Sequence, residues 1–244
     1  MQKYFQISRT PFACLAMIAG LATGPAAHAG DLFIKETATA AGRSSGSLLL
    51  PVRASAANYW AGSQNISISE SPGGASPTSF LAFCVDPAHF SSGSYTAYLR
   101  PATASNLTAT FASRATAIQN LFDKYYGGTL GSNDASAAFQ LALWEVANDD
   151  QVLTSGSVRI NASTNSTLAA NAAAMLADLA YSGPHRYDLT VFKVNRAVAG
   201  TAGQDYVVAR PASVVSAIPE PQAYLLILAG LGMLGTAGSR RRAG

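Results

Sequence analysis

The sequence predicts an α+β domain, a largely antiparallel sheet with a helical portion between N-terminal and C-terminal strands. Three observations predict it. Apolar and hydroxyl residues run in short strand-like segments up to Leu99, the apolar period lengthens to that of a helix between Ala112 and Tyr181, and alternation returns from Tyr187 to Arg210. Strands, then helices, then strands argue for helices packed against one sheet rather than for alternating βαβ units.

Taken in order, Ser47 to Val52, Asn65 to Ser69, Thr78 to Asp86 and Tyr95 to Leu99 read as strands, and Ser71-Pro72-Gly73-Gly74 supplies a turn between two of them. Ala112 to Tyr126 carries Ala115, Ile118, Leu121, Phe122 and Tyr125 on one side, and Gly127-Gly128 is expected to stop that helix. A second helix is expected from about Asp134 to Ala147, with Ser132-Asn133-Asp134 as cap candidates. A third, weaker one spans Thr167 to Tyr181, where many alanines favour helix but bury little area. Ser157 to Ile160 fits a short strand. Tyr187 to Val194 and Asp205 to Arg210 then form a hairpin across a loop of Gly and Ala.

Both ends have the composition of targeting segments. Lys3 and Arg9 precede an apolar run from Phe12 to Leu21, Gly24-Pro25 breaks it, and Ala27-His28-Ala29 offers small residues for cleavage before Gly30, so residues 1–29 read as a secretory signal peptide. Cys14 sits near the start of the apolar run, after Pro11-Phe12-Ala13, which is the wrong place for a lipidation site. At the other end, Pro219-Glu220-Pro221 precedes a sixteen-residue apolar run from Ala223 to Gly238, followed by Arg240, Arg241 and Arg242. A helix of that length rises about 1.5 Å per residue and is short for a bilayer, so the expected transmembrane helix thins the membrane around it or leans on its flanks. The arginines place its end in the cytoplasm. The expected division is therefore 1–29 signal peptide, 30–212 exported domain and 213–244 sorting segment.

The formal charge of +3 is set by these ends. Lys3, Arg9 and the three terminal arginines account for five of the sixteen basic residues, leaving eleven against the twelve acids between Asp31 and Asp205. The exported part is near neutral and gives no support for nucleic-acid binding.

Without the signal peptide, Cys84 is the one cysteine of the chain. In an oxidising compartment a lone cysteine is a buried small hydrophobe, a partner for another chain, or one end of a different covalent bond. Cys84 stands near the end of its strand, before Pro87, which cannot donate to a ladder. Gln140 stands on the apolar face of the second helix, four residues from Trp144. A buried carboxamide there must find partners or lose its polar demand through reaction.

Other chemistries have little to draw on. His89 and His185 are the only histidines after residue 29, so no metal site and no Ser-His-Asp triad is expected. His89, five residues from Cys84, is a candidate proton shuttle or a plain surface residue. Gly42-Arg43-Ser44-Ser45-Gly46 matches a hydrolase pattern but reads as a Ser- and Gly-rich loop. Asp149 and Asp150 end a helix without further carboxylates at ligand spacing, and the sequons at Asn65, Asn106, Asn161 and Asn165 carry little weight. The chain is expected to be no enzyme and to need no cofactor.

Two resemblances follow. Pro219-Glu220-Pro221, the apolar run and Arg240 to Arg242 resemble a PEP-CTERM sorting signal of exported Gram-negative proteins, which implies an exosortase-type processing enzyme as partner and a destination in the cell envelope, at the cell surface or in the extracellular matrix, with at least transient anchoring in the inner membrane. Phe83-Cys84-Val85 and Phe139-Gln140-Leu141-Ala142-Leu143-Trp144 resemble the two motifs of the thioester domains of bacterial surface adhesins, over about Thr78 to Asp149. Many members have Thr directly before the Gln, where this chain has Phe139. That resemblance implies an internal Cys84–Gln140 thioester walled by Phe83, Phe139 and Trp144, and a nucleophile-bearing surface ligand for covalent adhesion. The rival expectation is a non-covalent structural or binding protein of the extracellular matrix with an inert buried cysteine.

Overall fold

The computed structural model describes residues 30–37, 43–49, 57–90, 93–160 and 164–212, with 43–49 and 57–59 described by their backbone alone. The expected signal peptide and the expected sorting segment, including Pro219, Glu220, Pro221, Arg240, Arg241 and Arg242, lie outside the described residues, as does the expected transmembrane run. Among the described residues no helix is long and apolar enough to cross a membrane.

The fold is α+β, with the helical portion in the middle of the chain. Its strands are β1 (Leu32–Glu36), β2 (Arg43–Leu49), β3 (Ala57–Gly62), β4 (Gln64–Ser69), β5 (Thr78–Cys84), β6 (Thr96–Leu99), β7 (Arg159–Ile160), β8 (Tyr187–Val194) and β9 (Tyr206–Pro211). Its helices are α1 (Leu107–Phe111), α2 (Ala115–Thr129), α3 (Asn133–Asn148) and α4 (Ser166–Ala177), with a 3-10 turn at Ala112–Arg114. Six strands close into an antiparallel barrel in the order β1-β4-β5-β9-β8-β6, and β3-β2-β7 form a second sheet.

Alternation sorts the barrel residues. Leu32, Ile34, Ile66, Ala82, Tyr98, Phe192, Val194, Tyr206 and Val208 pack with one another inside it. Phe83, Leu189, Val191 and Val207 belong instead to the larger core shared with the helices. β9 lies between β5 and β8, so the last strand completes the wall that carries Cys84.

The helix α3 starts on the expected cap, the Ser132 hydroxyl accepting from Ala135 N–H. Every residue from Ser136 to Ala147 is buried, because β2, β3, β5, α2 and α4 all pack around it. It is a core helix, where the sequence suggested one apolar face.

Four expectations need correction. Gly127-Gly128 does not stop α2, which continues to Thr129, with Gly127 passing close to the Tyr187 hydroxyl. The strand expected to reach Asp86 ends at Cys84. The third helix ends at Ala177, where Asp178 leaves helical geometry and its N–H turns to the Met175 carbonyl. Residues 43–46, read as a loop, are paired in β2 with β3, which removes the hydrolase pattern from any strand-to-helix turn.

Candidate functional site

The site grows from a gap in the barrel wall. β4 pairs with β5 only as far as Gln64 opposite Ala82. The chain before Gln64 turns away through Gly62, whose φ of +131° suits glycine. Val85 N–H bonds across to β9, at the Asp205 carbonyl, so by strand alternation the N–H and C=O of Cys84 point to the opposite side, where β4 has ended. Two buried backbone groups are left to satisfy there.

The Gln140 carboxamide satisfies both. Cys84 N–H donates to Gln140 Oε1 at 3.0 Å, and Gln140 Nε2 donates to the Cys84 carbonyl at 2.7 Å. The side chain thus stands where the next peptide of β4 would stand. Cys84 is 1% exposed and Gln140 fully buried. Fifty-six positions of sequence close into one cyclic pair of hydrogen bonds.

The rest of that helix stripe docks in register. Ser136 Oγ accepts from Ser63 N–H at 2.9 Å, and Asn148 Nδ2 donates to the Val85 carbonyl at 3.0 Å. Ser136, Gln140, Trp144 and Asn148 recur every four residues, so one face of α3 follows the barrel edge from Ser63 to Val85. Sequence reasoning missed Ser136 and Asn148, although their spacing from Gln140 was the signal.

Burial drives the Cys84 thiol far above its ordinary range, with the Trp144 indole and the backbone at Asp86 acting in the opposite direction. The thiol donates to the Asp86 carbonyl at 3.2 Å. Of the three residues expected to wall the site, Trp144 interacts with the sulfur itself. Phe83 lies on the opposite face of β5 from Cys84 and packs against Phe139 with ring centroids 4.8 Å apart. Both join Phe122 and Tyr126 in an aromatic cluster that fixes strand and helix from behind. His89 is turned outward onto the Asp86 carboxylate, where Arg196 also bonds, and makes no hydrogen bond to Cys84. His185 sits on Asp123, away from the site. A cleft of about 410 Å³ opens elsewhere, among Leu32, Phe80, Arg100 and Phe192, and neither Cys84 nor Gln140 lines it.

The reading that Asp149 and Asp150 lack a further carboxylate is also corrected. Glu145, four residues before Asp149, brings its carboxylate to theirs.

Residues 217–242 match the PEP-CTERM protein-sorting motif. This motif marks an exported protein with a cell-surface destination, and it is a recognition signal for exosortase processing. No curated protein matches the chain. Among solved structures, the chain is similar to the N-terminal thioester domain of a surface protein from Clostridium perfringens, at 14% identity and TM-score 0.39, over 68% of this chain and 98% of that one. A cysteine-to-alanine mutant of such a domain from the same organism matches at 11% identity and TM-score 0.39, over 60% and 88% of the two chains. These are weak likenesses.

Proposed function

We propose that this exported protein is a covalent adhesin whose barrel domain forms an internal thioester between Cys84 Sγ and Gln140 Cδ. The observation that carries the reading is the seating of the Gln140 carboxamide on the backbone of Cys84. That contact seats the buried Gln140 side chain on the backbone of the residue that carries the sulfur, which supports a proximity mechanism.

Each contact has a chemical use. Sulfur attacks Cδ, a C–S bond forms, and the Cys84 N–H already directed at Oε1 stabilises the negative charge that develops there. The C–N bond then breaks, and Nε2 leaves as ammonia with the thiol proton. In the second step an amine on a surface ligand attacks Cδ. A C–N bond forms, the C–S bond breaks, and the sulfur leaves as a thiolate that the Trp144 indole steadies before it takes up the proton lost by the amine. One molecule makes one linkage, which is attachment rather than turnover. Burial protects the bond from hydrolysis until a partner opens the site.

In this reading residues 1–29 are removed on export, 30–212 carry the adhesive domain, and 213–244 hold the chain at the inner membrane by their apolar run until processing. Intact mass of the processed protein tests it. The thioester reads as one missing ammonia, methylamine adds its full mass while one thiol becomes titratable, and Cys84→Ala abolishes both changes. An unmodified mass with a thiol that titrates only on unfolding decides for the second reading, a non-covalent matrix protein. That reading has its own support, since both polar atoms of the Gln140 amide have a partner as a cap on the β5 ladder.

A further inference from the structure

At the end of α3 three carboxylates converge. Glu145 in the last turn, Asp149 at the C-cap and Asp150 beyond it each bring an oxygen within 4.8 Å of the others. Glu145 is fully buried, and among the described residues neither of its carboxylate oxygens has a hydrogen-bond partner. Other buried acids here are satisfied: Asp31 accepts from Asn195 on both oxygens, and Asp123 accepts from Gln119, His185 and the backbone of Arg186 and Tyr187. A buried carboxylate without a partner is costly, and two more acids beside it deepen the cost.

The surroundings hold the group in place. Asp149 accepts from Val158 N–H, and Asp150 accepts from Val152 N–H and the Ser155 hydroxyl, so the loop from 149 to 158 is wound around its own acids. Gly156, at φ +73°, approaches so closely that a Cβ there would overlap the Asp149 carboxylate. Three acids at a helix C-terminus also oppose the helix dipole, which favours positive charge at that end.

We propose that Glu145, Asp149 and Asp150 bind a divalent cation, calcium, at the C-terminal end of α3. The donors are all hard carboxylate oxygens, with no nitrogen or sulfur among them, which suits calcium over zinc or copper. Glu145 supplies both oxygens from the buried side. Asp150 is exposed, so water completes the coordination there. The ion ties the loop to the helix that carries Gln140 and Trp144. The proposal stands on its own residues, whether or not the thioester forms.

The test uses the full-length chain in mild detergent, stripped with a chelator and titrated with calcium chloride by calorimetry and thermal unfolding. Binding is expected at ~10⁻⁴–10⁻³ M, the range of extracellular calcium modules. Calcium at about ten times the dissociation constant raises the unfolding midpoint by about 3–6 °C, and magnesium raises it less. Glu145→Gln abolishes binding. Asp150→Asn, on the exposed rim, weakens binding about tenfold and keeps the test open if Glu145→Gln does not fold. No heat and no midpoint change up to ~10 mM calcium overturns the proposal. Unchanged affinity in either variant overturns it as well.

Discussion

Replacing Gln140 by Glu, on a Cys84→Ala background where no covalent bond can form, isolates the contact on which the adhesive reading depends. The exchange keeps the shape of the side chain and alters one donor. In the native pair the amide both accepts from Cys84 N–H and donates to the Cys84 carbonyl, both at backbone atoms that Cys84→Ala leaves unchanged. A carboxyl group can do both only when protonated. Its folded pKa must therefore rise above the unfolded value of about 4.3. The folded state then binds more protons than the unfolded state above that value, so stability falls as pH rises. If the carboxyl stays neutral at pH 7, the cost there is about 4 kcal/mol, and at pH 4 it is close to zero. For a domain of this size that is about 8–15 °C in unfolding midpoint at pH 7. Thermal unfolding of the single and double variants from pH 4 to 8, followed by circular dichroism, measures the difference directly. A gap below about 1 kcal/mol that does not vary with pH would refute the seating of Gln140 on the Cys84 backbone.

Trp144→Phe keeps an apolar ring and removes the N–H, so methylamine uptake by the processed protein should slow about tenfold in a mass-spectrometric time course. Asn148→Ala leaves the Val85 carbonyl without that donor and should cost about 1–3 kcal/mol in urea unfolding. Asp123→Ala removes the one oxygen that accepts from both Arg186 and Tyr187 N–H, and should cost about 2–4 kcal/mol by the same assay. In calcium-free buffer, stability should fall as pH rises from about 4.5 to 8, because the Glu145 pKa is raised above its unfolded value by burial and by Asp149 and Asp150. Glu145→Gln should flatten that slope, and a slope unchanged by the substitution would assign it to another group.

The local elements were legible because each has a local cause. Helix α3 was expected over 134–147 and spans Asn133–Asn148, since its apolar run is long and its Ser132 cap is a sequence signal. β8 was found with its bounds unchanged. Closure of the barrel was not legible, because β1 must pair with both β4 and β6 and nothing local encodes the second partner. α1 is a single short turn of helix without enough apolar period to stand out. At the site, Cys84 and Gln140 were conspicuous because each is chemically out of place, a lone thiol and a carboxamide in apolar sequence. Glu145 stood next to Trp144 in that same helix and was passed over, since a single acid near a helix end looks solvated until burial on all sides is known.

The placement of β9 between β5 and β8 has a mechanical consequence. Just after β9 the chain continues toward the sorting segment, so under the proposed anchoring a tension applied at the C-terminus enters the barrel along this strand. Cys84 pairs with Tyr206 at the start of β9, the end far from the sorting segment, so a pull on the end of β9 against a hold at Cys84 runs along the strand and loads its hydrogen bonds in shear. β5 receives that force directly, and with it the residue to which Gln140 is joined. Resistance to detachment is then set by how fast β9 slips from its neighbours, a rate that single-molecule pulling on the anchored protein can read.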